Sequence, residues 1–222
     1  MNEVVQRIAR ECGFELAGVA PAGAVPEWGF HRRWVDAGMA GDIRYLTDRR
    51  ALVRQDVGNL LAAARSVVCV GKLYDRYRAE PDYHDILRAG LERLAARLTA
   101  ELGPVERKIC VDTAPLLERA LARRAGLGWV GRNTCLINEP LGSRIFLGEL
   151  ITSLDLEPGQ PPPDRCGTCM RCIDACPTGA LVPLEDRWVV DSRRCLSHPV
   201  PGCEICQEVC PWNRPALLSA NM

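Results

Sequence analysis

Twelve cysteines are distributed very unevenly along the 222 residues, and this distribution limits the possible folds more than any other feature. The first 165 residues hold four of them, whereas eight lie in the 45 residues from Cys166 to Cys210. Eight in 45 is about 18%, above the roughly 8–10% that marks a scaffold built on cysteine. The residues before this stretch are numerous enough to bury a hydrophobic core of their own, so a small protein held together by disulfides alone is excluded.

The first half of the cysteine-rich stretch has a recognisable spacing. Cys166, Cys169, Cys172 and Cys176 are spaced C-x2-C-x2-C-x3-C, and Pro177 follows. Bacterial ferredoxins use this run to bind [4Fe–4S] clusters: three thiolates hold one cluster, and the fourth cysteine reaches a second one. Two intervening residues permit a tight turn that directs successive sulfurs at neighbouring irons. The spacing therefore predicts a ferredoxin-like module with two clusters.

A second, altered copy of the run follows. Cys203, Cys206 and Cys210 repeat the last three cysteines of the first copy at an offset of 34 residues (203 − 169), but Val200 stands where the first cysteine is expected. Cys195, five residues before Val200, is the obvious replacement. The crossing rule of two-cluster ferredoxins then predicts two ligand sets: Cys166, Cys169, Cys172 and Cys210 for the first cluster, and Cys176, Cys195, Cys203 and Cys206 for the second.

Structural zinc is the alternative, because eight cysteines also suffice for two sites of four thiolates each. Zinc sites usually pair two C-x2-C units across a longer loop, so three thiolates spaced x2-x2 favour a cluster. The remaining cysteines, at positions 12, 69, 110 and 135, are interpreted as buried thiols that pack like small apolar residues.

Charge and hydropathy limit the cellular compartment and the binding partners that we expect for the protein. The 28 basic and 28 acidic residues produce no net basic field for nucleic acid, although a local basic groove is compatible with a neutral total. The first seven residues lack the features of a signal peptide, and no stretch approaches about 18 uncharged apolar residues. We therefore expect a cytoplasmic protein with no membrane partner, whose reduced thiols bind metal.

Apolar periodicity predicts helices over 3–12, 26–37, 83–102 and 115–124, with strands near 14–20, 66–70, 108–111, 134–137 and 145–151. Residues 155–165 contain four prolines and are interpreted as a stiff linker. The predicted fold is α+β: an N-terminal α/β domain over 1–154, followed by the ferredoxin-like module over 155–222.

Three features of the first domain are candidates for a site. Asp112 follows an apolar strand-like run and either faces a ligand crevice or caps the next helix. Residues 126–134 contain three glycines beside Arg132 and Asn133, which suits either an anionic ligand or an ordinary turn. Tyr83 and His84 form a ligand pair or, as we favour, simply begin the long helix.

Several segments together resemble the epoxyqueuosine reductase family, in the family's order and over nearly the whole chain. They are residues 38–46, 82–84, 111–119, 126–134, 142–143, 146–149, 166–177 and 202–213. The resemblance implies a cobalamin-binding first domain and a two-cluster enzyme related in layout to reductive dehalogenases. Such enzymes remove the epoxide oxygen of epoxyqueuosine in the tRNA anticodon, with electrons from an external donor such as a flavodoxin or ferredoxin.

The resemblance also implies roles for particular residues. Asp112 would be the proton donor, and this role requires a protonated and partly desolvated carboxyl group. Segments around Arg132 and Asn133, and around Gly142 and Ser143, would hold the corrin ring of cobalamin. The remaining alternatives are a related oxidoreductase with another substrate and a ferredoxin-like electron carrier.

The chain departs from the family pattern in three ways. The family usually has lysine where Arg132 stands, and a much longer segment than the seven residues between Cys195 and Cys203. Many members also continue further than the twelve residues that follow Cys210 here, with a region that binds tRNA. These departures leave the cluster ligands unaffected, and the properties on which they bear are cobalamin affinity and tRNA recognition.

Overall fold

The computed structural model describes residues 2–74, 82–196 and 203–213. Its helices are α1 Asn2–Glu11, α2 Trp28–Asp36, α3 Arg44–Thr47, α4 Tyr83–Leu102, α5 Glu118–Arg124, α6 Arg171–Asp174 and α7 Ile205–Glu208. Its strands are β1 Leu16–Pro21, β2 Ser66–Leu73, β3 Arg107–Cys110, β4 Trp129–Val130, β5 Leu136–Ile137, β6 Ile145–Thr152, β7 Leu181–Leu184 and β8 Arg187–Val190. Short 3₁₀ helices cover Arg49–Gln55, Val57–Asn59 and Pro211–Asn213.

A four-stranded sheet in the order β1-β2-β6-β3 forms the centre of the N-terminal part. All of its neighbouring strands are antiparallel, and Glu149 of β6 lies opposite Cys69 of β2 and Cys110 of β3. Helices α1 and α4 cover one face of the sheet, and α5 covers the other. The α+β fold expected from the sequence is confirmed.

Helix α4 shows why periodicity predicted its position so well. Leu87, Leu91, Leu94 and Leu98 form one stripe along it, and all four are buried against the sheet and α1. The Asp82 carboxylate accepts the His84 N–H at the start of the helix, and Gly103 at φ 96° follows its last residue. The stripe and both ends agree with the prediction for residues 83–102.

The other predicted helix near the site is shorter than expected. Helix α5 begins at Glu118 rather than at Pro115, because residues 111–117 form tight turns instead. Within these turns Thr113 N–H donates to the Val111 carbonyl, and Leu116 N–H donates to the Ala114 carbonyl. Asp112 therefore lies in an irregular segment, and not directly before a helix as predicted.

The proline-rich residues 155–165 contain no regular secondary structure, but they lie against the first part of the chain. Leu156 is buried in the core, and Gly159 N–H donates to the Val19 carbonyl of β1 at 2.8 Å. The β7–β8 hairpin also packs on α2, where Trp34 Nε1 donates to the Val190 carbonyl at 2.8 Å. The cysteine-rich part is therefore held against the sheet domain at several places, and the division at residue 155 stays a prediction.

None of the helices in the described part of the chain is both long and apolar enough to cross a membrane.

Candidate active site and cluster centres

The eight cysteines of the C-terminal part line two cavities. The first cavity has a volume of about 480 Å³, and four of its lining residues are Cys166, Cys169, Cys172 and Cys210. The second cavity has a volume of about 490 Å³, and its cysteines include Cys176, Cys195, Cys203 and Cys206. The chain therefore crosses between the cavities, and each one brings together one of the two expected ligand sets. Val200 lies outside the described residues.

The number and the sequence spacing of the cysteines at each cavity suit a cluster. Each cavity gathers four cysteines of the C-terminal part, which is the ligand count of one [4Fe–4S] cluster. The first run also has the C-x2-C-x2-C-x3-C spacing of a cluster-binding run, so the residues present fit [4Fe–4S] clusters.

The thiols within each set influence one another's ionisation. Burial first, and then the neighbouring Cys166 and Cys210, raise the pKa of the Cys172 thiol to about 11. Burial, followed by neighbouring thiols of which Cys135 is the largest contributor, raises the pKa of Cys206 to about 12. Thiolates crowded in this way need a compensating positive charge, and iron supplies it.

The loop after Cys176 already favours a thiolate. Burial raises the pKa of Cys176, but N–H groups of residues 178, 180 and 181 that bond to its sulfur lower the pKa overall. The Ala180 N–H lies 3.2 Å from Cys176 Sγ. Backbone N–H groups directed at sulfur are part of the surroundings expected for a cluster ligand.

Asp112 lies in a strained turn at the edge of the second cavity. Its φ is 48°, and the hydrogen bond from Thr113 N–H to the Val111 carbonyl closes a γ-turn around it. Such backbone costs on the order of 1–3 kcal/mol in a non-glycine residue and persists only where its surroundings hold it. The side chain is 54% exposed, so the desolvation expected of a proton donor is absent in the protein alone.

Tyr83 and His84 begin α4 and also face Asp112. His84 Nε2 lies 3.2 Å from Asp112 Oδ2, and His84 Nδ1 lies 2.8 Å from Asp82 Oδ1. The hydrogen bond with Asp82 is the main reason why the pKa of His84 is raised. Burial, followed by the charge of Asp112, raises the pKa of Tyr83. The predicted start of the long helix at Tyr83 is confirmed, and a ligand-binding role for this pair stays a prediction.

Arg132 and Asn133 contact the cysteine-rich part directly. Arg132 donates to the carbonyls of Gly167 at 2.6 Å and Cys169 at 3.2 Å, and it lines the first cavity. Asn133 is buried between the cavities, lines both, and donates to the Cys206 carbonyl at 3.3 Å. Arg132 is thus placed at the first cysteine set, and only Asn133 of this pair reaches the cavity that holds Asp112.

Gly142 and Ser143 are joined to the end of the second cysteine run through Asn213. The Ser143 N–H donates to Asn213 Oδ1 at 2.6 Å, and Asn213 Nδ2 donates to Ser143 Oγ at 2.8 Å. At Gly142, φ is 75° and any side chain would overlap Asn213. Ser143 lines the second cavity, so this junction fixes one wall of the candidate site.

The chain has two four-cysteine sets suited to iron–sulfur clusters, and an acidic side chain lines the cavity of the second set. These features define an iron–sulfur oxidoreductase. Residues 163–214 match the family model of the 4Fe-4S dicluster domain, and residues 54–113 match that of "Epoxyqueuosine reductase QueG, DUF1730". An epoxyqueuosine reductase of Gloeobacter violaceus is 39% identical over 92% of this chain and 74% of its own length. The chain belongs to the epoxyqueuosine reductase family, which confirms the resemblance.

Solved structures of the family share this fold. An epoxyqueuosine reductase crystallised with a tRNA-Tyr epoxyqueuosine-modified stem loop superposes with a TM-score of 0.79 and 28% identity, over 97% of this chain and 68% of that one. The Bacillus subtilis enzyme was solved with its catalytic aspartate loop swung out of the active site. It superposes with a TM-score of 0.81 and 27% identity, over 96% of this chain and 65% of that one.

Proposed function

We propose that this chain reductively removes the epoxide oxygen of epoxyqueuosine in tRNA, with Asp112 as the proton donor. The observation that carries the proposal is the second cavity, because Asp112 and the cysteines 176, 195, 203 and 206 line the same space. A redox centre and an acid are thereby placed side by side. The related enzyme solved with an epoxyqueuosine-modified stem loop supports tRNA as the substrate.

Removing the oxygen as water converts the epoxide into an alkene and consumes two electrons and two protons. We assign the first ligand set to the cluster that accepts electrons from an external flavodoxin or ferredoxin, and the second set to the cluster beside the substrate. Two adjacent cavities that share Asn133 in their walls suit transfer from one cluster to the other.

The lining of the second cavity also fits cobalamin. Beyond its cysteines, the second cavity combines apolar Phe146 and Leu147 with polar Asn133, Thr134 and Ser143, side chains that would contact part of a corrin ring and its amide groups. Cobalamin bound there would supply a cobalt centre that exchanges electrons with the substrate. Asn133 and Ser143 are the residues we assign to holding it.

The protein's own contribution is to hold and deliver the proton. Asp112 carries it, and His84 orients the carboxyl group from the start of α4. The exposed carboxyl group faces a cavity that a bound cofactor and nucleotide would close to water, and this supplies the desolvation that the free protein lacks. The swung-out aspartate loop of the Bacillus subtilis relative supports a site that closes around its ligands.

An Asp112→Asn variant tests the proposal. After anaerobic reconstitution, we expect it to retain iron and bound cobalamin but to convert epoxyqueuosine in tRNA about 10²–10⁴-fold more slowly, because a positioned general acid is worth that much. Asp186→Asn, the same change at a side chain that is 83% exposed, is the matched control. Asp112→Asn turnover within two-fold of wild type would exclude Asp112 as the acid. A full iron content without bound cobalamin would favour the electron carrier.

A further inference from the structure

A buried hydrogen-bond donor without an acceptor lies beside the first cavity. It is the indole N–H of Trp129 in β4, a residue that is 1% exposed. The Nε1 atom is buried and has no hydrogen-bond partner within the described part of the chain. Nearly all buried polar groups of folded proteins are hydrogen-bonded, so an exception of this kind indicates an acceptor that the protein alone does not supply.

The Trp129 ring packs against two cysteines of the first ligand set. It lies in one buried cluster with Ile137, Cys210, Cys166 and Trp212. The Trp212 ring meets it edge-on, with 5.1 Å between the ring centroids and 80° between the planes. Cys166 and Cys210 also line the first cavity. The side chain that carries the unpartnered N–H is therefore packed against two expected ligands of the first cluster.

The surroundings of Trp129 hold the indole in place and keep it from water. Trp129 pairs with Ile137 of β5, and any side chain at the preceding Gly128 would overlap the Ile137 carbonyl. The N–H therefore needs an acceptor among its neighbours. A neutral thiol accepts hydrogen bonds only weakly, whereas a thiolate bound to iron is an anionic and stronger acceptor. Burial raises the pKa of the Cys166 thiol, and the Trp129 side chain partly opposes this rise, which agrees with a donor near that sulfur.

We propose that Trp129 tunes the first [4Fe–4S] cluster: its indole N–H donates to the sulfur of Cys166 or Cys210 when that cysteine binds iron, and so raises the reduction potential of the cluster. Reduction adds one electron and therefore one negative charge to the cluster. A hydrogen bond to a ligand sulfur stabilises this more negative state more than the oxidised one. The proposal rests on the ligand assignment of the proposed function, in which the first set receives the external electrons.

Anaerobic redox titration of the reconstituted protein, followed by electron paramagnetic resonance, tests the proposal. The wild type should show two one-electron transitions, and the one that is lost in Cys169→Ser belongs to the first cluster. In Trp129→Phe we expect the ratio of reduced to oxidised first cluster, at a fixed solution potential, to fall about 3- to 10-fold, as for the loss of one hydrogen bond. Ten-fold corresponds to about 59 mV for a one-electron couple. Trp34→Phe removes a buried indole that donates to the Val190 carbonyl, and this control should leave the first transition unchanged.

A second replacement separates the hydrogen bond from the packing of the ring. Benzothienylalanine at position 129 has a sulfur in place of the indole N–H and nearly the same shape, so it should lower the ratio as Trp129→Phe does. A first transition at the wild-type potential in this protein, or an equal shift in Trp34→Phe, would overturn the proposal. If Cys169→Ser removed neither transition, the ligand assignment would fail and the proposal with it. A shifted potential in a protein that does not convert epoxyqueuosine would refute the proposed function and leave the role of Trp129 standing.

Discussion

The link between Asn213 and Ser143 permits a quantitative prediction for Asn213→Ala. The Asn213 side chain accepts from Ser143 N–H at 2.6 Å and donates to Ser143 Oγ at 2.8 Å and to the Gln207 carbonyl at 2.9 Å. Each such bond contributes about 0.5–1.5 kcal/mol net, so the substitution should lower the free energy of unfolding by about 3 kcal/mol. In a chain of this size each kcal/mol lowers Tm by about 2–4 °C, which gives a loss of about 6–12 °C.

The assay is anaerobic thermal unfolding of the reconstituted protein, followed both by circular dichroism and by the visible absorbance of the clusters. Both signals should fall at the lower temperature, because Asn213 ties the second cysteine run to the wall of the second cavity. Asn59→Ala is the control, since the Asn59 side chain makes a single exposed hydrogen bond of 3.4 Å to the Val53 carbonyl. We expect that change to stay within about 0.5 kcal/mol of wild type. An Asn213→Ala protein as stable as Asn59→Ala would refute the reasoning.

Two further predictions concern the clusters and the sheet. Cys169→Ser and Cys203→Ser should each lower the iron content from about eight to about four per chain, because each removes a ligand of a different cluster. The control variant Cys135→Ser should keep both clusters. Iron analysis that shows the loss of both clusters in either ligand variant would contradict independent sites. Gly18→Ala should destabilise the protein by about 1–3 kcal/mol in denaturant titration, because the new methyl group would overlap a carbonyl oxygen at the end of α5. At Gly29 on α2, a new methyl group would make only an ordinary contact with the Arg33 side chain, so Gly29→Ala should be neutral or slightly stabilising. Equal effects of the two substitutions would rule out overlap as the cause.

The regular spacing of the cysteines made their grouping predictable. The crossing of Cys176 and Cys210 between sets follows from that spacing together with the rule for two-cluster ferredoxins, and each cavity is lined by one of the expected sets, whose roles as ligands stay a prediction. The stripe from Leu87 to Leu98 likewise fixed α4, because a 3.6-residue period is a property of the segment itself. The short strands β7 and β8 were missed, since only four residues each leave little pattern to read.

What the sequence could not show depends on contacts between distant residues. Ser143 and Asn213 are joined by two hydrogen bonds, and no local pattern in the sequence marks either residue as the partner of the other. The family resemblance implied a role for Arg132 in holding the corrin, and the fold places its guanidinium at the Cys169 carbonyl, a contact that the local sequence did not indicate. The glycines of this loop indicated that its backbone lies close to another group, but they did not indicate which group.

The crossing of the chain between the two cavities has a consequence for how the protein is made. Each cavity takes cysteines from both runs, so a nascent chain that has emerged from the ribosome only as far as Cys176 has three of the first cavity's four cysteines and one of the second's. The first set is completed only when Cys210 appears, after all four members of the second set are available. The first cluster can therefore be completed only after the whole cysteine-rich part has been synthesised, whereas the ligands of the second cluster are all present once Cys206 has emerged.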